Sequence, residues 1–332
     1  MTITPIIKGL LTFILPRSTY GRHTGGTDSA RYCYSVFLRH VVKIHSITGS
    51  IPLGRIAELG PGDSLGIGLA ALIAGAERYY AFDVAPFSDR ARNLRIFDEL
   101  VELFKQRADI PGRTEIPEIE PAIPSEKFPS HILDEGQLAK ALDPVRIEAL
   151  RRDLAGNESG EESSVSYVAP WFDKATIQEA TLDWIFSQAV MEHVDDLATT
   201  YNISYRWLKP GGLISHQIDF RSHGTAATWD GHRTYGDAAW WMVRGARPYL
   251  INREPLSAHL GLPREQGFAL IEQSLVPGGP TVARAKLARR FRTWSEEDIS
   301  TAGAFVLHRK PVAADLAIDT MNSAAEHDRN SA

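Results

Sequence analysis

The sequence has a single cysteine and no strong excess of either charge. Among its 332 residues, Lys and Arg number 36 and Asp and Glu 41, so the formal net charge is −5. A chain this mildly acidic has no general attraction to nucleic acid or to anionic lipid. The lone Cys33 excludes an internal disulfide and a cysteine-based zinc site. These properties favour a reducing, cytoplasmic setting.

Long apolar runs are also missing. The apolar stretch near the N-terminus, residues 6–15, is interrupted by Lys8 and bounded by Pro16. It is too short to span a bilayer, and no small-residue cleavage site follows it. We expect a helix packed on the body of the protein. Because Ile6 and Leu10 share one face of that helix, contact with a membrane surface is the alternative.

Residues 55–83 have the pattern of a strand–helix–strand unit. The sequence predicts a buried strand at Arg55–Leu59, a tight turn at residues 60–64, an apolar helix at residues 65–73 and a second strand at Arg78–Asp83. Strands joined through a helix within about 30 residues are parallel, and the crossover is right-handed. We therefore predict a parallel sheet that starts here.

Five further strands follow a long interruption. Residues 85–164 are too many for an ordinary strand–helix connection, so we expect an insertion that forms a lid or a wall of the substrate site, with one helix through residues 138–154. Residues 221–255 are a second irregular block, expected to cap the substrate site. The five strands are predicted at residues 165–168, 182–187, 213–220, 269–275 and 303–308. Residues 313–332 are small, polar and acidic, and we expect a disordered tail.

The first turn and the end of the second strand have the chemistry of a nucleoside site. Gly60 and Gly62 let a ligand approach the backbone at the carboxyl edge of a parallel sheet, where ligands bind. Asp83 lies 21 positions after Gly62, and a carboxylate there can accept hydrogen bonds from both hydroxyls of a ribose. The alternatives are a purely structural turn and an Asp83 that caps a helix or faces solvent.

Two features favour a cationic ligand over a dinucleotide. Gly60, Gly62 and Gly66 lack the G-x-G-x-x-G spacing, in which the third glycine falls five positions after the first. Glu58 would repel a pyrophosphate at this turn, whereas the acidic rim of the turn would attract a sulfonium or ammonium cation.

Four segments, in order, resemble the motifs of class I S-adenosylmethionine-dependent methyltransferases. They are Glu58-Leu-Gly-Pro-Gly-Asp63, Asp83, Asp183-Trp-Ile-Phe-Ser-Gln-Ala-Val-Met-Glu-His-Val194 and Leu208-Lys-Pro-Gly-Gly-Leu213. The similarity covers residues 55–220, and residues 303–308 resemble the family's final strand. Ser64 stands where many members carry a third glycine, and the 85–164 insertion is a larger departure.

The resemblance implies the fold, the domains and the cofactor. The fold is α/β, with a Rossmann-like seven-stranded, mostly parallel sheet whose seventh strand is antiparallel and whose helical insertions cap the substrate site. Residues 1–54 would form an N-terminal helical flap and residues 55–312 the methyltransferase domain. The cofactor would be S-adenosyl-L-methionine, with Asp83 on its ribose and Glu58 near its amino group.

Further cofactor contacts are implied at the ends of the third and fourth strands. Trp171 and Phe172 are candidates to stack on the adenine, with a hydrophobic wall as the alternative, and Ser187 and Gln188 would lie beside the reacting methyl. The cofactor-binding residues expected from the resemblance are Glu58, Gly60, Pro61, Gly62, Asp63, Ser64, Asp83, Trp171, Phe172, Ser187 and Gln188.

Candidates for a proton-accepting residue follow the fourth and fifth strands. Methyl transfer to a hydroxyl needs a base, and Asp219 and His223 lie where the substrate should sit, whereas His193 opens a helix beside the cofactor and would have a positioning role. These three are our candidate catalytic residues; the alternatives are loop hydrogen bonding for Asp219 and His223 and support of a helix cap for His193. His216 alternates onto the apolar face of its strand and is expected in the core. The sequence shows no cluster that requires a metal.

We therefore predict a cytoplasmic methyltransferase that acts on a small molecule or a saccharide, at oxygen. Ser187 and Gln188 do not belong to an Asn-Pro-Pro-Tyr motif or to a cysteine elbow, which argues against a nucleic-acid acceptor. Two alternatives remain open: an NAD-dependent oxidoreductase on a related sheet, and a catalytically inactive methyltransferase-like module that binds a partner or a glycan.

Overall fold

A seven-stranded sheet forms the centre of the molecule. The structure, a computed structural model, describes residues 3–14, 26–156, 163–171, 177–247 and 249–312. The strands are β1 (Arg55–Leu59), β2 (Arg78–Phe82), β3 (Val165–Val168), β4 (Leu182–Gln188), β5 (Leu208–Asp219), β6 (Ala269–Pro277) and β7 (Thr301–Arg309). Their order is β3-β2-β1-β4-β5-β7-β6, and β7 is antiparallel to both of its neighbours whereas the other pairs are parallel. The predicted fold class is confirmed.

Helices cover both faces of this sheet. They are α1 (Ile3–Leu11), α2 (Ala30–Thr48), α3 (Gly66–Ile73), α4 (Arg90–Lys105), α5 (Glu135–Ala141), α6 (Pro144–Leu154), α7 (Leu197–Trp207), α8 (Asp237–Arg244), α9 (Leu256–Glu265) and α10 (Glu296–Ser300). The single helix predicted at residues 138–154 is wrong, because α5 ends before Asp143 and a new helix starts there. The Asp143 side chain accepts hydrogen bonds from Val145 N and Arg146 N, and Pro144 occupies the first turn, where it needs no hydrogen bond of its own.

Alternation along the strands divides the core into two layers. On β4, Trp184 and Phe186 pack on the side of α2, α3 and α4, whereas Ile185 packs on the side of α7 and α9. A parallel sheet buried on both faces reads as nearly continuous apolar sequence, which is why β1 and β4 were recognisable. The carboxyl ends of the strands are left as the edge where a ligand can bind.

One wall at this edge comes from the chain between β2 and β3. Arg39 of α2 is buried, and its guanidinium donates to Pro111 O (3.1 Å) and Pro121 O (2.9 Å). Ser35 Oγ also donates to Pro111 O, at 2.7 Å. These bonds hold the intervening segment, residues 112–120, against α2.

The first helix packs on a different part of the molecule. Ile6 lies against a small cluster that contains Tyr235, Trp240 and Val243, while Leu10 is exposed. Within the described ranges, no helix combines the length and the apolar character that a membrane crossing requires. The predicted contact with a membrane surface stays a prediction. The expected tail at residues 313–332 lies outside the described residues.

Candidate active site

The turn after β1 has the backbone conformation that its glycines predict. Gly60 and Gly62 have φ values of 67° and 73°, in the left-handed region that side chains with a Cβ rarely adopt. The Gly60 N–H donates to Phe82 O at 2.8 Å, which ties the turn to β2. A Cβ on Gly60 would lie 2.6 Å from Val190 Cγ2, so the turn also touches the loop after β4.

Asp83 sits opposite this turn, at the end of β2. Its Oδ2 accepts a hydrogen bond from Gly62 N at 3.1 Å, and its Oδ1 accepts one from Val84 N at 2.7 Å. Burial raises the pKa of Asp83 to about 6, although the backbone hydrogen bonds oppose that shift. The carboxyl group is therefore mainly ionised at neutral pH, and it lies at the carboxyl end of β2.

Glu58 points away from the turn, into the layer between β1 and α3. Its side chain is 1% exposed, and the Tyr79 hydroxyl donates to Oε2 at 2.5 Å. Burial raises the pKa of Glu58 to about 8, with the hydrogen bonds from Tyr79 and Gly68 acting in the opposite direction. The carboxyl group therefore brings little charge to the rim at neutral pH, which differs from the acidic rim expected from the sequence.

The remaining residues of the turn anchor it to its surroundings. Ser64 is buried, and its backbone N–H donates to Thr27 Oγ1 at 3.3 Å, so the turn is joined to the segment before α2. The carbonyl of Asp63 accepts from Arg92 Nη1 at 2.7 Å. Pro61 is buried. The Asp63 carboxylate lies 4.0 Å from the same Arg92 Nη1.

Trp171 packs beside the predicted nucleoside site. Its ring centroid lies 5.6 Å from that of Phe82 and 5.8 Å from that of Trp207, and its backbone N–H donates to Asp83 O at 3.1 Å. These contacts make it part of an aromatic wall. Phe172 lies outside the described residues, so the choice of an adenine-stacking ring stays a prediction.

The last two residues of β4, Ser187 and Gln188, point to opposite faces of the sheet, although the sequence analysis expected both beside the reacting methyl. Ser187 is fully buried and its Oγ lies 2.8 Å from Nδ1 of His216, in the layer on the α7 side. His216 is thus a core residue, as predicted. Gln188 points to the opposite side of β4, where its Nε2 donates to Glu120 O at 3.1 Å and its Oε1 lies 3.3 Å from His40 Nε2.

A cavity of about 190 Å³ opens at the carboxyl ends of β4 and β5. Its walls come from α2, from the insertion, and from β4 to β7: they include Tyr32, Ile116, Glu118, Glu120, Gln188, Ala189, Gln217, Asp219, Arg221 and Gly303. A second and much smaller cavity, of about 10 Å³, reaches Glu192 and Asp219 from another side.

The three predicted catalytic residues come together beside these cavities. His223 Nε2 lies 3.5 Å from Asp219 Oδ2, and the rings of His193 and His223 have centroids 5.0 Å apart. A fourth residue, Glu192, joins them: its Oε1 lies 4.0 Å from Nε2 of both histidines. Glu192 and His193 belong to the 3-10 helix Met191–His193 directly after β4, and Asp219 ends β5.

The four groups shift one another's ionisation. Burial raises the pKa of Glu192 to about 8 and lowers that of His193 to about 4. Burial alone would lower the pKa of His223, but the hydrogen bond to Asp219 and the charges of Glu192 and Asp219 raise it above its usual value. Burial opposes the ionisation of Asp219, yet the hydrogen bond and charge of His223 hold its pKa below the usual value.

Backbone strain concentrates around this cluster. In the described ranges, five of the seven non-glycine residues with positive φ are Glu118, Ala189, His223, Tyr249 and Arg253. Glu118 and Ala189 line the larger cavity, Arg253 lines the smaller one, and the carbonyl of Tyr249 accepts from His193 Nδ1 at 2.8 Å. Strained positions persist where the surrounding structure holds them and are frequent at functional sites.

Sequence reasoning missed Glu192 and did not indicate that residues 116–120 are the part of the insertion that faces the cavity. Glu192 stood inside a quoted motif, and only its position next to His193 after a predicted strand could have pointed to it. Tyr32 lines the cavity, whereas the Tyr34 hydroxyl donates to Ala108 O at 2.7 Å within the core.

One segment of the chain has a counterpart in known proteins. Residues 138–215 match the family model described as a methyltransferase domain. The match, which covers less than a quarter of the chain, assigns this segment to a methyltransferase domain and agrees with the resemblance to S-adenosylmethionine-dependent methyltransferases. S-adenosylmethionine is the cofactor that such a domain uses. The comparison with curated proteins finds no match.

Solved structures that are similar to this chain have low sequence identity to it. One is an S-adenosylmethionine-dependent methyltransferase from Mesorhizobium loti, with 15% identity, 86% of this chain and 100% of that chain covered, and a TM-score of 0.40. Another is phosphoethanolamine N-methyltransferase 2 of Haemonchus contortus in complex with S-adenosyl-L-methionine, with 14% identity, coverage of 89% and 59%, and a TM-score of 0.40. At these values the likenesses carry no argument about the acceptor.

The residues at this edge are compatible with S-adenosylmethionine. Asp83 offers a buried carboxylate that accepts only backbone hydrogen bonds, which is the donor–acceptor match that a ribose diol requires. Gly60 and Gly62 expose backbone rather than side chains at the turn. Bound there, the cofactor supplies an electrophilic methyl on a sulfonium, and this chain supplies its binding and orientation.

Proposed function

We propose that this methyltransferase methylates a hydroxyl oxygen of a small molecule or a saccharide. One observation carries the proposal: Asp219 lines the larger cavity and lies 3.5 Å from His223 at the carboxyl end of β5. A hydroxyl is a weak nucleophile until its proton is taken, so a paired carboxylate and imidazole at the cavity wall suit this acceptor. A cytoplasmic setting belongs to the same proposal, and the free, buried Cys33 supports it.

Each part of the reaction has residues to perform it. The backbone at Gly60 and Gly62 would hold the methionine part of the cofactor, and Asp83 would accept hydrogen bonds from the ribose. Gln188 would lie between the cofactor and the acceptor, where Tyr32 is also close. The acceptor oxygen forms a bond to the methyl carbon while the carbon–sulfur bond breaks, and the hydroxyl proton passes to the Asp219–His223 pair.

The insertion would decide which acceptor enters. Ile116, Glu118 and Glu120 face the cavity from the segment that Arg39 holds in place. A wall with both apolar and acidic groups suits an acceptor that is neutral or cationic, of limited size. Nothing in this wall is strongly basic apart from Arg221, which pairs with Glu118 at 3.0 Å. This charge pattern supports the expectation that nucleic acid is not the acceptor.

The alternatives are less well supported. A dinucleotide-binding sheet of the common order places β6 directly after β5, whereas here the antiparallel β7 lies between them. An inactive binding module has no need for four converging ionisable groups at the end of β4 and β5.

Calorimetry with S-adenosylhomocysteine and NADH, followed by a labelling assay, tests the proposal. We expect heat with S-adenosylhomocysteine and none with NADH, and a preference for NADH would overturn it. The full-length protein is then incubated with methyl-labelled cofactor and a cell extract, and the products are analysed by mass spectrometry. We expect labelled ethers for the wild type and at least about 100-fold less label for Asp219→Asn, with unchanged affinity for S-adenosylhomocysteine.

Two results would separate the possible failures. The matched control is Asp195→Asn, which removes an exposed carboxylate paired with Arg244 and should label like the wild type. Labelled nitrogen or sulfur products, in place of ethers, would refute the oxygen acceptor while leaving the methyltransferase activity intact.

A further inference from the structure

Glu192 has an unusual environment for a carboxylate. Its side chain is 2% exposed, and both of its oxygens lack a hydrogen-bond partner among the described residues. The backbone N–H groups of Glu192 and Asp219 are near enough to favour its charge but lie outside hydrogen-bonding geometry. A buried carboxylate without partners is costly and is rarely kept without a ligand or a charge to meet it.

The groups that face Glu192 are metal donors. The Nε2 atoms of His193 and His223 each lie 4.0 Å from Oε1, and one donor atom from each of the three residues falls within 4.8 Å of the other two. Neighbouring ligands on a tetrahedral zinc ion are about 3.3 Å apart, given metal–ligand bonds of about 2.0–2.1 Å. Movements of less than about 1 Å, for instance side-chain rotations, would bring the three donors onto one ion.

The imidazole of His193 is oriented for ligation. Its Nδ1 lies 2.8 Å from the carbonyl oxygen of Tyr249. A carbonyl can only accept, so Nδ1 carries the hydrogen and Nε2 presents its lone pair toward Glu192. This arrangement, in which the second ring nitrogen donates to a backbone carbonyl, is the usual one for a metal-bound histidine.

The turn that carries two of the donors is also fixed. Asn252 Nδ2 donates to Met191 O at 2.9 Å and to Val194 O at 2.8 Å, and the Asn252 N–H donates to Glu192 O at 2.6 Å. Glu192 and His193 therefore belong to one turn whose backbone carbonyls are held by Asn252. Supports of this kind hold ligands in position before the ion arrives.

The nearby cations do not satisfy the carboxylate. Arg221 Nη1 lies 3.7 Å from Asp219 and 3.0 Å from Glu118. Arg233 and Arg253 line the smaller cavity, but their guanidinium groups stack on aromatic rings and donate to the carbonyls of Ile299 and Tyr235.

We propose that Glu192, His193 and His223 bind one divalent transition-metal ion of the zinc, iron(II) or cobalt(II) type. Two imidazoles and a carboxylate are a donor set that these ions accept with coordination positions left open. Because Nε2 of His223, which lies 3.5 Å from Asp219 Oδ2, would bind the ion, Asp219 would no longer pair with it and would lie beside the ion as a free carboxylate. The ion would lower the pKa of an acceptor hydroxyl that enters from the cavity, and proton transfer would then fall to Asp219. The binding itself does not depend on the identity of the acceptor.

Cobalt(II) is the probe of choice because its visible spectrum reports its ligands. The full-length protein is treated with a chelator, dialysed, and titrated with cobalt(II) while absorbance is recorded, and with zinc(II) in a calorimeter. We expect one equivalent of either ion to bind, with a cobalt spectrum typical of nitrogen and oxygen ligands in low coordination. Glu192→Gln and His223→Ala should each weaken binding at least about tenfold.

A matched variant controls for adventitious binding by surface histidines. His45 and His131 form another imidazole pair, with ring centroids 5.7 Å apart, and His131 is exposed. His131→Ala should leave the one-equivalent binding unchanged. Glu192→Gln keeps the shape of the side chain, and circular dichroism with a thermal melt verifies that each variant is folded.

Three outcomes would overturn the proposal. The first is the absence of binding heat and of a visible cobalt spectrum in the wild type. The second is unchanged affinity in folded Glu192→Gln and His223→Ala. The third is loss of binding in His131→Ala. None of these results would affect the binding of S-adenosylhomocysteine, so failure of the metal site and failure of the methyltransferase assignment are distinguishable.

Discussion

Gly62 and Asp83, 21 positions apart, are joined by a hydrogen bond of 3.1 Å from the Gly62 N–H to Asp83 Oδ2. This bond closes the gap between the first turn and the end of β2. It holds an ionisable acceptor in place on the edge where the cofactor is proposed to bind. The first turn, the end of β2 and the residues packed against them lead to four predictions.

Replacing Asp83 by Asn should weaken binding of S-adenosylhomocysteine by about 10- to 100-fold. The charge that receives the ribose hydroxyls is lost, and hydrogen bonds to charged groups contribute about 1.5–3 kcal/mol. Calorimetry measures the change. Asp109→Asn, which removes an exposed carboxylate paired with Lys127, should bind like the wild type. Equal affinities for the wild type and Asp83→Asn would remove Asp83 from the site.

Binding of S-adenosylhomocysteine should weaken as the pH falls through about 6. The pKa of Asp83 is raised to about 6 by burial, so its carboxylate becomes protonated below that value and can no longer accept two hydrogen bonds. We expect affinity about tenfold lower at pH 5 than at pH 7.5, because one proton must be released on binding. Asp83→Asn should show no such slope in the same titrations. A slope shared by both proteins would assign the effect to another group.

Glu58→Gln should stabilise the protein at alkaline pH relative to the wild type. Burial raises the pKa of Glu58 from 4.5 to about 8. Between these pH values the folded state therefore keeps a proton that the unfolded state has released. Wild-type stability therefore falls as the pH rises through this window. The variant lacks this loss. The difference between its free energy of unfolding and that of the wild type should therefore grow to a few kcal/mol by pH 8.

Urea unfolding at pH 5 and pH 8 measures the difference. Glu77→Gln makes the same substitution at an exposed position and should show no comparable trend. If Glu58→Gln loses stability equally at both pH values, the carboxyl group is held by interactions of its ionised form, and the raised pKa is wrong.

Gly60→Ala should destabilise the fold more than Gly49→Ala does. Both glycines have positive φ, 67° and 72°, so both variants suffer backbone strain of about 1 kcal/mol. A Cβ on Gly49 meets nothing within 4 Å, whereas one on Gly60 lies 2.6 Å from Val190 Cγ2. We expect an additional cost of about 1–3 kcal/mol at Gly60.

A double variant isolates the contact. Val190→Ala should recover part of the additional loss in Gly60→Ala, since it removes the methyl groups that a new Cβ would meet. Thermal or urea unfolding provides the measurement. Equal losses in the two single alanine variants would mean that the turn moves freely and is not packed against the loop after β4.

Much of the fold could be predicted because its signals are local. The strand at Arg55–Leu59, the turn with Gly60 and Gly62, and the strand that ends before Asp83 follow one another within 30 residues, and each has its own apolar or glycine pattern. The break between α5 and α6 was missed although Asp143 and Pro144 are visible in the sequence, because the apolar pattern continues across them. Pattern alone gave no reason to stop the helix.

The cluster of candidate catalytic residues was only partly predictable. Asp219, His223 and His193 follow predicted strands, and parallel strands bring their carboxyl ends to one edge. The sequence could not reveal that Glu192 turns inward without hydrogen-bond partners, since that depends on the loop from which Tyr249 and Asn252 come. Ser187 and Gln188 also make contacts on different sides of the sheet, because neighbouring residues of a strand point to opposite faces.

The sequence by itself determined the order of the strands, the glycine turn and the acid at the end of β2, because these depend on neighbours along the chain. Only the tertiary structure decided which side chains meet across long separations. Gln188 reaches the carbonyl of Glu120, 68 positions away, and His193 reaches that of Tyr249, 56 positions away. Such contacts follow from the packing of whole elements and loops, which no local pattern encodes, and they shape the cavity and the ionisable cluster at its wall.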